Sequence, residues 1–301
     1  MSDSRRPLAR AEELHTARYL TASDLRGAGI SRHHAARLVD QGQLIRLRRG
    51  RFVAVETPRE LVEVGRLGGR LDCLSLLAAV GVFVRSRPAI PHVQFERGSS
   101  RLPPRPTGVV AHWRASESSS QDLVAQIIDA VTQACRCQSP RDAIATLDSA
   151  WFHAVVDESD IAAVLGRLPR RFRRLGGLLD PRAESGTETL VRLMLRGLGC
   201  RVEVQVAIAG VGRVDLLADG WLIVECDSRA HHSGWDAQRS DRRRDLAAAA
   251  LGYTTVRPLA EDILTHPEAV LAALRSALSS PAPRPGLHNS SSSAAIVPEI
   301  L

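Results

Sequence analysis

Residues 211–257 read VGRVDLLADGWLIVECDSRAHHSGWDAQRSDRRRDLAAAALGYTTVR, and they decide the fold expected for the second half of the chain. Two short apolar segments flank an Asp-Gly pair, which predicts a β-hairpin. A charged segment, a helical pattern and a third apolar segment follow. This order predicts an α/β core with a mixed sheet that is covered by helices.

The hairpin can adopt two registers. A two-residue turn at the Asp-Gly pair would pair Asp215 with Val224 and would mix charged with core residues on one face. A three-residue loop at 218–220 pairs Val214 with Val224 instead, and it gives one consistently apolar face. We therefore expect the second register.

In that register three acidic residues, Asp215, Glu225 and Asp227, point to the face opposite the apolar one, with Asp215 diagonal to Glu225. Like charges this close are costly unless a cation neutralises them. Carboxylate oxygens suit Mg²⁺ or Mn²⁺, which activate water and stabilise the leaving oxygen of a phosphodiester. The alternative is the solvated outer face of an edge hairpin, and the residues leave both interpretations open.

This part of the chain resembles the core of the PD-(D/E)XK nuclease superfamily. The resemblance rests on the three acids, the pair His231–His232, the run DRRRD at 241–245 and the pair Val256–Arg257. More narrowly, they resemble the branch similar to very short patch repair endonucleases. The resemblance implies a restriction-endonuclease-like α/β core and a metal-dependent DNA endonuclease or nickase, with Mg²⁺ or Mn²⁺ as cofactor. It implies Asp215, Glu225, Asp227, His231, His232, Glu188 and Gln205 as catalytic residues, and Asp215, Glu225 and Glu188 as metal ligands.

The chain departs from this family in two ways. It contains no Lys, since all 40 basic residues are Arg, and Asp227 stands where many members have a catalytic Lys. The very-short-patch branch uses His instead, so His231 or His232 would carry the proton or hold the attacking water. Ser228 replaces the Gly that usually follows this motif, so the turn there differs from that of the family.

Two of the implied residues also have structural explanations. Ser185 and Glu188 form a Ser-x-x-Glu capping box, in which Glu188 would accept a hydrogen bond from the Ser185 amide. If Glu188 only caps the helix, Glu184 is the alternative metal-site acid. Gln205 lies in the alternating strand RVEVQVAI at 201–208, where it either orients water or substrate or is a plain exposed strand residue.

Residues 1–55 carry most of the net charge, since they hold eleven Arg against five acids and the whole chain has a net charge of +7. Thr21 or Ser23 can cap a first short helix and Ser31 a second, with Gly29 in the bend. A strand pair follows around Arg49 and Gly50. The pattern predicts a winged helix-turn-helix.

A basic second helix and basic wing are typical of DNA binding, with the helix in the major groove and the wing on phosphates or the minor groove. The alternative is a solvated basic face on a protein-interaction module. The segment resembles the winged-helix domain of AbiEi-like antitoxins, which implies a transcriptional or toxin-antitoxin role. The expected DNA-binding residues are Arg32, His33, His34, Arg37, Arg46, Arg48, Arg49 and Arg51.

The composition predicts four segments: the winged helix at 1–55, an α+β connector at 56–180, the nuclease-like domain at 181–280 and a Pro- and Ser-rich disordered tail at 281–301. His92, His112 and His153 are expected to be ordinary connector residues, because no acid or Cys accompanies them at ligand spacing. Cys135 and Cys137 form a lone C-x-C that is typical of helix residues. A final helix is expected at 261–278.

The chain has no signal-peptide pattern and no run of eighteen apolar residues, so we expect a cytoplasmic protein. The main hypothesis is a metal-dependent DNA endonuclease or nickase that the winged helix targets. The alternative is a DNA-binding regulator or antitoxin whose nuclease-like domain is inactive. The expected partners are DNA and a cognate toxin or other defence protein, and no membrane association is expected. The residues do not decide between a monomer and a homodimer. RNA cleavage is a weaker idea, since aromatic residues make up only 4% of the chain.

Overall fold

The computed structural model describes residues 6–99, 102, 108–226 and 235–279. The chain divides into two compact units, and the division falls between Leu190 and Val191. Within the described ranges, every helix is too short or too polar to cross a membrane.

The first unit begins with three helices and a small antiparallel sheet of strand order β1-β3-β2. These elements are α1 (Arg6–His15), β1 (Leu20–Thr21), α2 (Ala22–Gly27), α3 (Arg32–Asp40), β2 (Leu44–Arg48) and β3 (Arg51–Ala54). Leu25 of α2, Ala35 of α3 and Phe52 of β3 are buried against one another. The two helices and the hairpin therefore share a small apolar core.

The capping residues set where α2 and α3 begin. The Thr21 side chain accepts hydrogen bonds from the Ser23 and Asp24 amides, and Ser31 accepts one from the His34 amide at 3.1 Å. Gly29, between the helices, has a φ of 77°, which L side chains rarely adopt. The caps expected at Thr21 and Ser31 and the bend at Gly29 are confirmed.

The remainder of the first unit packs helices around a three-stranded sheet of order β4-β5-β6, in which β4 is antiparallel and β6 parallel to β5. The elements are α4 (Arg59–Leu67), β4 (Arg70–Leu71), α5 (Cys73–Val80), β5 (His92–Glu96), β6 (Val110–Arg114), α6 (Ile127–Cys137), α7 (Pro140–Phe152), α8 (Glu158–Arg167) and α9 (Arg170–Arg173). The Tyr19 amide donates to the Gln121 carbonyl at 3.0 Å. The expected winged-helix segment and the connector thus lie in one compact unit, and the domain limit after Val55 stays a prediction.

Helix α10 (Gly186–Gly197) spans the division, and the second unit continues with a four-stranded sheet of order β10-β9-β8-β7. Strands β9 and β10 are parallel, whereas the other neighbours are antiparallel. The elements are β7 (Val202–Ile208), β8 (Gly212–Ala218), β9 (Leu222–Val224), α11 (Trp235–Ala250), β10 (Thr254–Val256), α12 (Ala260–Thr265) and α13 (Pro267–Ser279). The expected mixed sheet is confirmed for the described residues.

The expected register of the β8–β9 hairpin is wrong, and so is the alternative with a two-residue turn. Leu216 pairs with Val224, so the loop comprises residues 219–221 rather than 218–220. Asp219 and Gly220 both adopt positive φ, of 51° and 76°, and Asp is one of the few residues other than Gly that tolerates this conformation. Because the register moves by two residues, every side chain keeps the face that was expected.

The single final helix expected at 261–278 is also wrong, because two helices, α12 and α13, occupy this region. The break falls at His266, and Pro267 begins α13. Proline disfavours a helical conformation of the residue before it and lacks an amide proton, but it fits the first helical position.

Candidate functional site

The first turns of α3 present basic side chains to solvent. Ala35, which is 4% exposed, packs into the small core with Leu25 and Phe52. The other face of α3 therefore points to solvent. The exposed residues are those expected to contact DNA: Arg32, His33, His34 and Arg37.

The four arginines of the β2–β3 hairpin divide into two pairs. Arg46 and Arg49 are exposed, whereas Arg48 and Arg51 are half-buried. The Arg51 guanidinium lies 4.7 Å from the centre of the Tyr19 ring, and Arg48 packs so closely on Gly68 that a Cβ there would meet its guanidinium. Arg46 and Arg49 are therefore the hairpin cations best placed for an external ligand.

A concave surface lies between α3 and the hairpin. Its basic lining comprises Arg26, Arg32, His33, Arg46 and Arg49, and the acidic Asp40 also lines it. Arginine guanidinium groups favour planar, bidentate contacts with phosphate and with guanine edges. The surface therefore has the charge and hydrogen-bond donors that a nucleic acid requires.

A second group of candidate residues lies on β8 and β9. Continuing the observed register places Glu225 directly opposite Asp215, not diagonal to it, and the Cys226 amide donates to Asp215 Oδ2 at 2.9 Å. Alternation puts both acids on the face of Leu217 and Ile223, which cluster with Ala248 of α11. The expectation that Asp215 and Glu225 share a face is confirmed. That face, however, also carries apolar residues that pack on a helix.

Two arginines neutralise this acid pair in part. Arg244 of α11 donates to Glu225 Oε1 at 2.8 Å, and the Arg257 guanidinium lies 3.8 Å from the same oxygen. Arg257 in turn donates to Asp245 at 2.8 Å. Burial and the neighbouring Asp215 raise the pKa of Glu225, whereas Arg244 and Arg257 act in the opposite direction. The pair is thus a partly buried carboxylate site inside a network of charges.

Gln205 of β7 faces the same row of residues. Val204 pairs with Leu216 and Val206 with Val214, so Gln205 lies at the level of Asp215 on the neighbouring strand. Its φ of 55° is unusual for a residue other than Gly, and its pair is missing from the β7–β8 register although the strand continues through it. Gln205 is half-buried, and its role in orienting water or substrate stays a prediction.

Glu188 belongs to the first unit and is 5% exposed. Its Oε2 accepts a hydrogen bond from the Glu184 amide at 3.0 Å, and its own amide donates to Ser185 Oγ at 3.2 Å. The prediction that Glu188 caps the Ser185 amide is wrong by one residue, because the side chain reaches past Ser185. The capping function is nevertheless present, and the metal function stays a prediction.

Three further residues implied by the nuclease resemblance, Asp227, His231 and His232, lie outside the described residues, as does Ser228.

One cluster was missed by the sequence reasoning. Cys73, His92, His112 and Cys137 come together in the first unit, with their ligand atoms all within 4.8 Å of one another. The sequence reasoning treats His92 and His112 as ordinary residues because no Cys accompanies them at ligand spacing, and it treats Cys137 as a helix residue. Cys137 does lie in α6, but the fold brings two Cys to the two histidines. Long stretches of chain separate each of the four from the next, so no short spacing marked them.

Comparison with known proteins identifies one segment of the chain. No curated protein matches the chain. Residues 5–53 match a family described as transcriptional regulator, AbiEi antitoxin, and this match covers α1 to α3 and most of the β2–β3 hairpin.

Proposed function

We propose that this chain is a DNA-binding transcriptional regulator of the AbiEi-antitoxin type, and that residues 1–55 act as a winged helix-turn-helix. The observation that carries the proposal is the concave basic surface between α3 and the β2–β3 hairpin. It lies within the segment that matches the regulator family, residues 5–53. Sequence, charge and geometry therefore support the same interface.

The two sides of this surface suit different parts of a DNA duplex. The first residues of α3, Arg32 and His33, are exposed and would read base edges in the major groove. Arg46 and Arg49 would grip phosphates or enter the minor groove. Arg48 and Arg51 would mainly shape the hairpin, since Arg51 stacks on Tyr19 within the protein.

Selection from random-sequence duplexes tests this proposal. The full chain should enrich a defined sequence, and the double variant Arg32→Ala/Arg37→Ala should lose that enrichment because its recognition helix lacks two exposed cations. Arg59→Ala/Arg66→Ala makes the same charge change on exposed residues of α4 and should enrich the wild-type sequence. Failure of the wild-type chain to enrich any sequence would remove the regulator proposal.

A cognate toxin or another defence protein is part of the same proposal, because the matched family is described as an antitoxin. A homodimer would place two recognition helices on DNA, in which case the selected sequence would contain two half-sites about one helical turn apart.

We propose as a second candidate a metal-dependent DNA endonuclease or nickase, because the β8–β9 register, continued by one residue past Val224, sets Asp215 opposite Glu225 in a mixed sheet. Two adjacent carboxylates supply the hard oxygen ligands that Mg²⁺ or Mn²⁺ prefers. Asp215 and Glu225 would hold the ion, and the metal-binding role that the family resemblance implies for Glu188 stays a prediction. The ion would supply an activated water and stabilise the leaving oxygen. Arg244 would have to release Glu225 first, since it already binds that carboxylate.

Nicking of supercoiled plasmid by the purified chain tests the second candidate. Conversion with Mg²⁺ or Mn²⁺ but not with EDTA, lost in both Asp215→Asn and Glu225→Gln, would support it. Glu203→Gln is the matched control, because Glu203 is a half-exposed acid on β7 that pairs with Arg201. Absence of nicking with both metals, while DNA is still bound, would leave the regulator without nuclease activity.

A further inference from the structure

Four ligand-type side chains of the first unit converge on one point. Nδ1 of His92 lies 3.1 Å from Nε2 of His112, and Sγ of Cys137 lies 4.0 Å from the same Nε2. Cys73 completes the group, and all four ligand atoms lie within 4.8 Å of one another. Without a cation, two imidazole nitrogens at this distance must share a proton to avoid facing each other with lone pairs.

Four separate elements deliver these side chains. Cys73 is the first residue of α5, and Cys137 is the last residue of α6. His92 begins β5, and His112 lies on β6 opposite Gln94. Because side chains alternate along a strand, His92 and His112 share one face of the parallel β5–β6 pair. The group therefore connects two helix ends to the central sheet of this unit.

The distances agree with those of a tetrahedral zinc site. Zn–N bonds of about 2.05 Å and Zn–S bonds of about 2.3 Å place two nitrogens about 3.3 Å apart, and a nitrogen and a sulfur about 3.6 Å apart. The observed 3.1 Å and 4.0 Å lie within half an ångström of these values. Small side-chain rotations would therefore bring all four atoms to bonding distance.

The surroundings resemble those of a structural metal site. Cys73, His92 and His112 are buried, while Cys137 is reached by solvent and offers an entry path for the ion. Gln133 donates from Nε2 to the Cys137 sulfur at 3.4 Å, and the His92 amide donates to Ser75 Oγ at 2.9 Å. The first contact touches the sulfur itself, as the outer contacts that orient metal ligands do, and the second fixes the backbone that carries His92.

The backbone at Cys73 gives a further indication. Its φ is 52°, a left-handed conformation that is uncommon for residues other than Gly and that concentrates at functional sites. The preceding residue, Asp72, is fully buried and accepts two hydrogen bonds from Arg114, at 2.6 and 2.7 Å. This ion pair holds the start of α5 against β6, so the strained residue is fixed in place beside the two histidines.

We propose that Cys73, His92, His112 and Cys137 bind one zinc ion. Thiolate and imidazole ligands together select zinc over Mg²⁺ or Ca²⁺. Four protein ligands leave no open position for a substrate, so the ion would be structural rather than catalytic. The ion would stabilise the unit that carries the proposed DNA-binding surface. The zinc proposal holds whether the chain is a regulator or a nuclease.

Metal analysis of the full chain, purified without a polyhistidine tag or chelators, tests the proposal. The expected result is one zinc per chain by mass spectrometry. After removal of zinc, Co²⁺ should give the visible absorption of a tetrahedral site and a thiolate-to-cobalt band. Removal should also lower the melting temperature of the first unit by more than about 10 °C, because metal binding energy is folding energy.

Variants assign the ligands. Cys137→Ser and His112→Asn should lose stoichiometric zinc, whereas Cys135→Ser, the same change two residues earlier on α6, should retain it. If the ligand variants fail to fold, the wild-type zinc content and cobalt spectrum still decide the matter. Zinc far below one per chain, a disulfide between Cys73 and Cys137 in the native protein, or stoichiometric iron or copper in place of zinc would each overturn the proposal.

Discussion

Replacing Arg46 and Arg49 with Gln removes the two exposed guanidinium groups of the β2–β3 hairpin and leaves Arg48 and Arg51 in place. If each exposed group neutralises one phosphate, the slope of log K against log salt becomes shallower by about 1.8, since each contact contributes about 0.9. At about 0.1 M monovalent salt the same relation gives binding weaker by about 60-fold. The two binding curves should converge as the salt concentration approaches about 1 M.

Fluorescence anisotropy on a labelled duplex, between about 0.05 and 0.3 M salt, measures both quantities. The matched control is Arg59→Gln/Arg66→Gln on α4, which changes the charge equally. Arg59 is 90% exposed and pairs with Glu63, so its loss should leave the slope unchanged. A wild-type slope in the hairpin variant, or an equal change in the α4 control, would refute the assignment of DNA contact to the hairpin.

Two further predictions concern stability. Thr21→Ala removes the acceptor for the Ser23 and Asp24 amides and should lower the free energy of unfolding by about 1 kcal/mol, measured in urea, with Ser23→Ala as the control. Hydrogen bonds from Thr21 lower the pKa of Asp24. The stabilisation from that carboxylate is therefore present above its usual pKa and is lost as the pH falls through the lowered value, so wild type and Asp24→Asn should converge in acid. Arg244→Met removes three hydrogen bonds, to Glu225 and to the carbonyls of Val211 and Arg213, and should cost about 2–3 kcal/mol, whereas the exposed Arg243→Met should be neutral. The pKa of Glu225 is raised, so the free energy of unfolding should fall as the pH rises from the usual pKa of Glu to the raised value. The fall should be steeper in Arg244→Met, which lacks the cation beside Glu225. Equal melting temperatures of Arg244→Met and Arg243→Met across this pH range would contradict the prediction.

The parts of the fold that sequence reasoning predicted are those that depend on local patterns. Thr21, Ser31 and Gly29 mark the helix ends and the bend between α2 and α3, because capping and positive φ depend on residue type. Strand alternation placed Asp215 and Glu225 on one face, and this held although the register was wrong, since a shift of two residues preserves the face. The register itself depended on the left-handed conformation of Asp219, which residue type permits but does not require.

The parts that sequence reasoning missed depend on contacts between distant residues. The Arg244–Glu225 ion pair and the cluster around Cys73 each join elements that local spacing does not relate. A zinc site usually shows itself by two ligands a few residues apart, but here the ligands come from two helix ends and two strands. The sequence offered one signal: Cys73 begins one helix, Cys137 ends another, and two nearby strands each carry a histidine. This signal becomes specific only once the β5–β6 pairing is known.

Sequence-specific DNA binding by residues 1–55 is the property on which the proposed function depends. The most direct measurement is the ratio of dissociation constants of the full chain for its selected duplex and for a shuffled duplex of the same composition, at one fixed salt concentration. A regulator that reads base edges should bind the selected duplex at least about a thousandfold more tightly. A ratio near one would show that the basic surface senses only the phosphate backbone and would contradict the proposed function.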